Sequence, residues 1–219
     1  MKRFLRNNGL SLTLAAFFLV FWALQGISGF RVNNEERTTH GQQPEAFSEY
    51  LAGGHFWQAT MENWESEFLQ MAAYVFLTKF LFQRGSAESN DPDAPPKDKA
   101  ENHRDDPDAP APVRKGGWRL FLYRHSLSLA LAAFFLVSFV AHAWGGMKEE
   151  NSEREAHHLG QLGFGEFISS AKFWFQSMQN WQSEFLAVLA IVVLSIWLRE
   201  DGSPESKDLW APHKKTGTE

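Results

Sequence analysis

The sequence contains no cysteine, and its basic residues do not outnumber its acidic ones. Without cysteine, disulfide bonds, thiolate metal sites and cysteine nucleophiles are all excluded. A net charge of −5 over 219 residues argues against the basic face that nucleic-acid binding requires. Glycine-rich phosphate loops, Ser/His/Asp nucleophile settings and HExxH-type zinc motifs are also lacking. We therefore assign no residue to catalysis and predict no cofactor.

The chain repeats itself at an offset of 117 residues. Over positions 2–90, the two halves share 36 identical residues among 89, and no gap is needed. The most distinctive match is Asn-Trp-Glu-Ser-Glu-Phe-Leu at 63–69 and Asn-Trp-Gln-Ser-Glu-Phe-Leu at 180–186. The chain is thus a duplicated unit, as in proteins built from internal repeats.

Four apolar runs predict four transmembrane helices. The first, residues 10–28, rises about 28 Å as a helix, which is enough for the hydrocarbon core. A cleaved signal peptide has a similar pattern. The same run recurs at 127–145, deep inside the chain, so we favour a transmembrane helix. The other two spans are predicted from about Trp64 to Phe82 and from Trp181 to Leu198.

The distribution of Lys and Arg predicts the orientation. The N-terminal nine residues, the connector 84–125 and the tail from 199 together carry fifteen, whereas connectors 29–66 and 146–183 carry five. By the positive-inside rule, both termini are expected in the cytoplasm and the two poorer connectors outside. Each repeat has two spans, so the repeats are predicted to be parallel, about a pseudo-two-fold axis along the membrane normal.

Aromatic residues mark the predicted membrane boundaries. Trp181 and Trp197 lie sixteen residues apart, about 24 Å along a helix, which suits the two aromatic belts. Residues 44–62 and 161–179 are too aromatic for free loops, and we predict short interfacial helices there. The interfacial anchors are predicted to be Trp57, Trp64, Trp174, Trp181 and Trp197.

Two segments lack the apolar residues that a folded core needs. Residues 84–117 hold six of the nine prolines and repeat Asp-Pro-Asp-Ala-Pro at 91–95 and 106–110. This composition predicts a disordered cytoplasmic linker, either a plain spacer or a segment that docks a partner. The predicted organisation is residues 1–83 and 118–200 as two-helix repeats, 84–117 as the linker and 201–219 as a disordered tail.

The duplicated motif brings one carboxylate, Glu67 or Glu184, about one turn inside each interfacial Trp. A carboxylate at that depth is costly unless it is paired, solvated or protonated, so it is a functional candidate. The alternative is a solvated position at the headgroups, or a bond to backbone amides of a connector. The candidate polar residues are Asn63, Ser66, Glu67, Asn180, Ser183 and Glu184.

A weaker signal suggests a metal site in the outer connectors. Glu and His are spaced i, i+4 in each copy, so each pair would share one face of a helix. The ligands would be Glu36, His40, Glu153 and His157. The favoured alternative is that Asn34, Glu36, Arg37 and His40 form a polar network that fixes the connector against its own helix ends.

The paired Asn-Trp-x-Ser-Glu-Phe-Leu motifs, together with residues 81–89, 202–206 and the Asp-Pro-Asp-Ala-Pro linker, carry a family resemblance. The chain resembles an uncharacterised bacterial four-helix inner-membrane family, catalogued as a domain of unknown function. The resemblance implies a bacterial inner-membrane protein without a known activity. One departure is Glu35, whose counterpart in the second repeat is Ser152.

These observations together predict an all-α integral membrane protein with four transmembrane helices in two parallel repeats. The favoured function is structural or partner-binding, and the alternative is a small ion or proton pathway through Glu67 and Glu184. A metal-dependent activity at the outer face is a weaker alternative. The predicted partners are the lipid bilayer and either another protein or a second copy of the chain.

Overall fold

The computed structural model of the chain describes residues 2–95 and 97–218. Over those residues, the chain forms seven α-helices and a short 3-10 helix at Ala100–His103, without any β-strand. The predicted all-α class is confirmed. The predicted segments also include Met1, Pro96 and Glu219, which lie outside the described residues. The α-helices are α1 Lys2–Thr39, α2 Phe47–Ala52, α3 Gly54–Leu77, α4 Ala111–Lys115, α5 Gly117–Ala156, α6 Phe164–Ile168 and α7 Ala171–Leu194.

Helix boundaries recur at the offset found in the sequence. The ends of α1 and α5 lie 117 residues apart, and so do the starts of α2 and α6. Both the start and the end of α3 recur in α7 at the same spacing. The two halves therefore fold into the same order of long helix, short helix and long helix.

Two helices are long and apolar enough to cross a membrane, namely Arg3–Thr39 and Gly117–Ala156, among the residues that the structure describes. Only 6% and 17% of their most apolar windows are buried within the protein. Leu10, Phe21 and Val137 are examples of large apolar side chains left exposed on them. Such continuous apolar surface is typical of contact with lipid or another protein. Membrane association therefore has support from two helices, and the four-span architecture stays a prediction.

The helices differ in length from the predicted spans. Helix α3 ends at Leu77 rather than Phe82, and α7 ends at Leu194 rather than Leu198. Hydroxyl residues begin the turns that follow: Thr78 Oγ1 donates to Tyr74 O at 2.8 Å, and Ser195 Oγ donates to Val192 O at 3.3 Å. Hydroxyl bonds to the preceding turn compete with helix continuation. Helix α1, in contrast, continues to Thr39, well past the predicted span.

The chain divides into two compact units. The first comprises Met1–Glu62 and Phe139–Trp174, and we call it the connector unit. The second comprises Asn63–Ser138 and Phe175–Glu219, and we call it the linker unit. Each unit draws residues from both halves of the sequence.

In the linker unit, the two Asp-Pro-Asp-Ala-Pro copies adopt the same turn. Ala94 N donates to Asp91 O at 3.2 Å, and Ala109 N donates to Asp106 O at 3.2 Å. Proline at the second position of each turn fixes the backbone angle that the turn needs. The linker, for which composition predicts disorder, thus has local structure in its acidic repeats.

The tail of the linker unit is organised around a buried lysine. Lys207 Nζ donates to the carbonyl oxygens of Gly85, His213 and Lys215. Burial lowers the pKa of Lys207, and nearby positive charges on Arg199 and Lys215 act in the same direction. These bonds, with a longer one to Ile196 O at 3.4 Å, compensate part of the cost of burying an ammonium group. They hold the tail against the start of the linker.

Candidate functional site: the connector cavity

Each connector is closed by an asparagine on the long helix that precedes it. Asn34 Nδ2 donates to Glu45 O at 3.1 Å, and Glu45 N donates to Asn34 Oδ1 at 2.8 Å. Asn151 makes the same pair of bonds with Leu162, at 3.0 and 2.7 Å. An amide side chain that both donates a hydrogen bond to and accepts one from the same backbone residue holds that residue, and the loop with it, in place.

Arginine makes a second, parallel closure. Arg37 Nε donates to Gln43 O at 3.0 Å, and Arg154 Nε donates to Gly160 O at 2.6 Å. Asn34 and Arg37 thus hold the first connector against the end of its own helix, as the sequence suggests. The other two members of that expected network, Glu36 and His40, line a cavity instead.

The short helices α2 and α6 bring an aromatic ring inward. Glu49 and Glu166 accept backbone hydrogen bonds that start these helices, at 2.8 and 2.7 Å. Tyr50 and Phe167 then point inward, and each is 1% exposed. A glycine leaves room for each ring, because a Cβ at Gly29 would collide with the Tyr50 hydroxyl. A Cβ at Gly146, the counterpart of Gly29, would lie 2.7 Å from the Phe167 ring.

A cavity of about 410 Å³ lies within the connector unit, and both connectors contribute to it. Its walls come from the end of α1, the loop and start of α3, and the end of α5. We call it the connector cavity. Its lining residues are Asn33, Glu36, Arg37, His40, Gln42, Glu45, Tyr50, Gly53, Gly54, His55, Lys148, Glu149, Ser152, Glu153, Ala156 and His157.

The four predicted metal ligands, Glu36, His40, Glu153 and His157, all line this cavity. The rings of His40 and His157 are 5.7 Å apart between centroids. In the described part of the chain, however, no group of three or more His, Asp or Glu side chains is placed to hold a metal ion. The structure brings the predicted residues to one cavity without forming a coordination shell.

Sequence reasoning missed Glu149, the most perturbed acid of the cavity. Burial, followed by the negative charge of Glu153, raises the pKa of Glu149 from 4.5 to about 7. Glu36 and Glu45 raise this pKa further, while Lys172 opposes the change. Glu149 therefore keeps its proton to a higher pH than an exposed glutamate does.

Tyr50 and His55 form a polar pair beside this acid. The hydroxyl of Tyr50 lies 3.2 Å from His55 Nδ1. Burial lowers the pKa of His55, so its imidazole is neutral at pH 7. Burial, with the charge of Glu149 second, raises the pKa of Tyr50 to about 12. The pair therefore contributes two uncharged rings to the cavity wall.

The cations of the connector unit are mostly engaged elsewhere. Lys172 Nζ donates to Glu150 and Glu153 at 2.8 and 2.9 Å. Lys148 Nζ lies 3.7 Å from the centroid of the Trp144 ring, a cation–π contact. Glu36 and Glu149 make no ion pair with any described residue.

The motif Asn-Trp-x-Ser-Glu-Phe-Leu lies in the linker unit in both of its copies. Ser66 Oγ donates to Asn63 O, and Ser183 Oγ donates to Asn180 O, both at 2.8 Å. These bonds stay within one turn of helix, so they are local.

The two motif acids differ in exposure: Glu67 is exposed and Glu184 is half-buried. The charge of Glu67 acts on Glu184, so the two carboxylates lie within electrostatic range.

The buried acid of the motif region is Glu65, which the sequence did not single out. Glu65 is 0% exposed and accepts a hydrogen bond from Trp181 Nε1 at 2.9 Å. Its counterpart is Gln182, which is exposed. Of the predicted anchors, Trp174 and Trp197 are exposed and Trp57, Trp64 and Trp181 are half-buried. Their interfacial role stays a prediction.

The fold and the cavity define an all-helical protein with two membrane-length helices and a polar cavity between duplicated connectors. The chain belongs to the family described as Domain of unknown function (DUF6766), which matches residues 1–218. No curated protein and no solved structure matches the chain. The family description agrees with the predicted domain of unknown function and names no activity, and the bacterial inner-membrane location and the four membrane helices stay predictions.

Proposed function

We propose that the protein is an integral membrane binding protein whose connector cavity takes a small polar ligand. The observation that carries this proposal is the cavity itself, since equivalent segments of both repeats contribute its walls. Its volume of about 410 Å³ falls in the range typical of small-molecule sites. The raised pKa of Glu149 is a second support, because strongly perturbed groups concentrate at functional sites.

The proposal includes a location: a bacterial inner membrane, several spans, both termini in the cytoplasm and the connector cavity outside. Exposed apolar side chains on α1 and α5 support insertion, and the distribution of Lys and Arg supports the orientation. Reporter fusions after Gln83 and after Glu150 test the topology. The first is expected to read cytoplasmic and the second external, and the reverse pattern would contradict the orientation.

Filling the cavity tests the binding function. Ser152 lies on the cavity wall and is exposed, so Ser152→Trp places a large ring in the cavity at little cost to the fold. The purified protein in detergent is screened against small polar compounds by thermal shift. Compounds that stabilise the wild type are expected to lose that effect in Ser152→Trp.

The control is Glu155→Trp, three residues along the same helix. Glu155 is exposed and does not line the cavity, so its replacement adds the same ring outside the site. Ligand-induced shifts should persist in this variant. If every compound stabilised wild type, Ser152→Trp and Glu155→Trp equally, the cavity would not be a binding site, and a structural role would be favoured.

The second candidate function is an ion or proton pathway, supported by the electrostatic proximity of Glu67 and Glu184. Replacement of both by Gln is expected to abolish ion flux in liposomes if these acids carry it. The matched control is Gln182→Glu, which adds an acid at the exposed counterpart of Glu65. Unchanged or absent flux in wild type and in the double variant would remove this candidate.

A further inference from the structure

The charge balance of the connector cavity favours a cationic ligand. Four glutamates line it, and its two permanently charged basic side chains, Arg37 and Lys148, also have partners elsewhere. Lys172 neutralises part of the charge from outside the lining by its bonds to Glu150 and Glu153. After this pairing, Glu36 and Glu149 remain without an ion pair among the described residues. A positively charged ligand would provide an ion-pair partner for these two carboxyl groups.

The walls also carry four rings from histidine and tyrosine side chains. The imidazoles of His40 and His157 approach one another edge to face. Tyr50 and the neutral His55 add two further rings beside Glu149. Aromatic faces attract ammonium groups, most strongly where water is excluded. Rings and carboxylates together are the surroundings that organic ammonium ions prefer.

The size of the cavity distinguishes an organic cation from a metal ion. A bare divalent ion requires several ligands within about 2–2.6 Å, and the described residues do not offer three such groups together. A volume of about 410 Å³ instead accommodates several non-hydrogen atoms. An anion is disfavoured by the acids that line the walls.

We propose that the connector cavity binds a small organic ammonium compound, with one ammonium group beside Glu149, and that binding displaces the proton from this carboxyl group. The proposal rests on the proposed function, since it assigns a chemical class to the ligand of the same cavity. No covalent bond of the ligand changes: the Glu149 proton passes to solvent, and the ammonium group replaces it as the positive partner.

The surroundings of Glu149 determine how much proton is released. With a pKa of about 7, Glu149 is about half protonated at pH 7, so binding is expected to release about half a proton there. Release should approach one proton near pH 6 and vanish above pH 8. The titratable or charged groups that face Glu149 are Glu36 and Glu45 from the first connector, Tyr50 and His55 from α2 and α3, Lys148 and Glu153 from α5, and Lys172 from α7.

Three probes of similar length separate charge from shape: 1,4-diaminobutane, 1,4-butanediol and succinate. Each is titrated calorimetrically into the full-length protein in detergent at pH 7, in phosphate and in Tris. These buffers differ in ionisation enthalpy, so the difference in measured heat gives the number of protons released. The diamine is expected to bind with release of about half a proton, and the diol and succinate are expected not to bind.

Variants connect this binding to the site. Glu149→Gln is expected to weaken diamine binding about tenfold, the loss of one charged hydrogen bond, and to remove the buffer dependence. Glu35→Gln makes the same change at an exposed residue that does not line the cavity, and it should alter neither quantity. Ser152→Trp should abolish binding.

The other outcomes separate the two proposals. Binding of the diol or succinate that Ser152→Trp blocks would overturn the ammonium proposal and leave the binding function standing. Diamine binding that is equal in wild type and Ser152→Trp would overturn both, because it would lie outside the cavity. Absence of binding by all three probes would also reject the ammonium ligand.

Discussion

The two connectors share the bonds that close them and differ in what they place at the centre. Asn34 and Asn151 make matching pairs of bonds to the loops that follow. At the centre, Tyr50 of the first connector corresponds to Phe167 of the second, and His55 corresponds to Lys172. Both connectors thus keep the asparagine bonds that hold their loops, while the side chains at their centres differ.

The consequence is a division of roles within the connector unit. The first connector supplies polar rings to the cavity, whereas the second builds an apolar core from Ala143, Phe167 and Phe173. The second copy also supplies the acid with the raised pKa, Glu149, whose counterpart in the first copy is the exposed Val32. Both connectors thus line the cavity, and the second also builds the apolar core.

The largest effect is expected from the apolar core of the second connector. Phe173 is 0% exposed and contacts the rings of Phe139, His142 and Phe167. Phe173→Ala should lower the free energy of unfolding by about 4 kcal/mol, through lost burial and the cavity left behind. Equilibrium unfolding in detergent micelles measures it. Phe175→Ala, at an exposed position two residues away, should have little effect.

The next largest effect is expected at Glu149, an acid that only the second connector has. The native pKa of Glu149 is raised, so the native state binds more protons than the unfolded state between about pH 4.5 and 7. Stability should therefore fall as pH rises through that window, by up to about 3 kcal/mol. Glu149→Gln should be more stable than wild type by this amount at pH 8 and equal to it near pH 4.5.

Unfolding at a series of pH values tests this expectation. Glu35→Gln, an exposed substitution, should keep the wild-type pH dependence. A Glu149→Gln profile parallel to that of wild type would show that Glu149 does not titrate near neutral pH.

Loss of the asparagine bonds that hold each loop should lower stability equally in the two connectors. Asn34→Ala and Asn151→Ala each remove two bonds to a backbone residue, and each should cost about 2 kcal/mol. Unfolding of the two single variants under the same conditions makes the comparison. A cost more than twice as large in one copy would mean that the closures are not equivalent despite their matching geometry. Asn8→Ala, at an exposed site in α1, is the control.

The smallest effect comes from making the first connector resemble the second. Tyr50→Phe installs the residue that stands at position 167 and removes the hydroxyl that meets His55. Stability should fall by about 1 kcal/mol, because the half-buried imidazole of His55 loses a hydrogen-bond partner. Tyr123→Phe, at an exposed tyrosine, should be neutral. A loss as large as that of Phe173→Ala would instead indicate a structural role for the hydroxyl.

Repetition and periodicity could predict much of the fold. Apolar runs predict the helical class, and the aromatic content of residues 44–62 and 161–179 predicts short helices there, where α2 and α6 form. The predicted spans run past the ends of α3 and α7, because apolar residues continue past Leu77 into the turn that follows it. Composition shows where apolar residues continue, but it does not show where the helix ends in a turn.

The candidate site was partly predictable for a related reason. Glu36, His40, Glu153 and His157 were found because they recur at the same spacing, and all four line the cavity. Glu149 and Glu65 were missed because neither recurs: their counterparts are Val32 and Gln182. Their burial depends on tertiary packing, which matched positions in a sequence do not reveal.

The length of α1 and α5 determines how far the cavity lies from the proposed membrane spans. If residues 10–28 and 127–145 fill the hydrocarbon core as proposed, His40 and His157 each lie twelve residues beyond it, about 18 Å along a helix. Glu149 lies only about 6 Å beyond it. Counterions at physiological salt screen surface charge over about 8 Å. Under that placement, the charge of anionic headgroups would act on Glu149 and would be largely screened at the far end of the cavity, so lipid charge would reach only one side of the site.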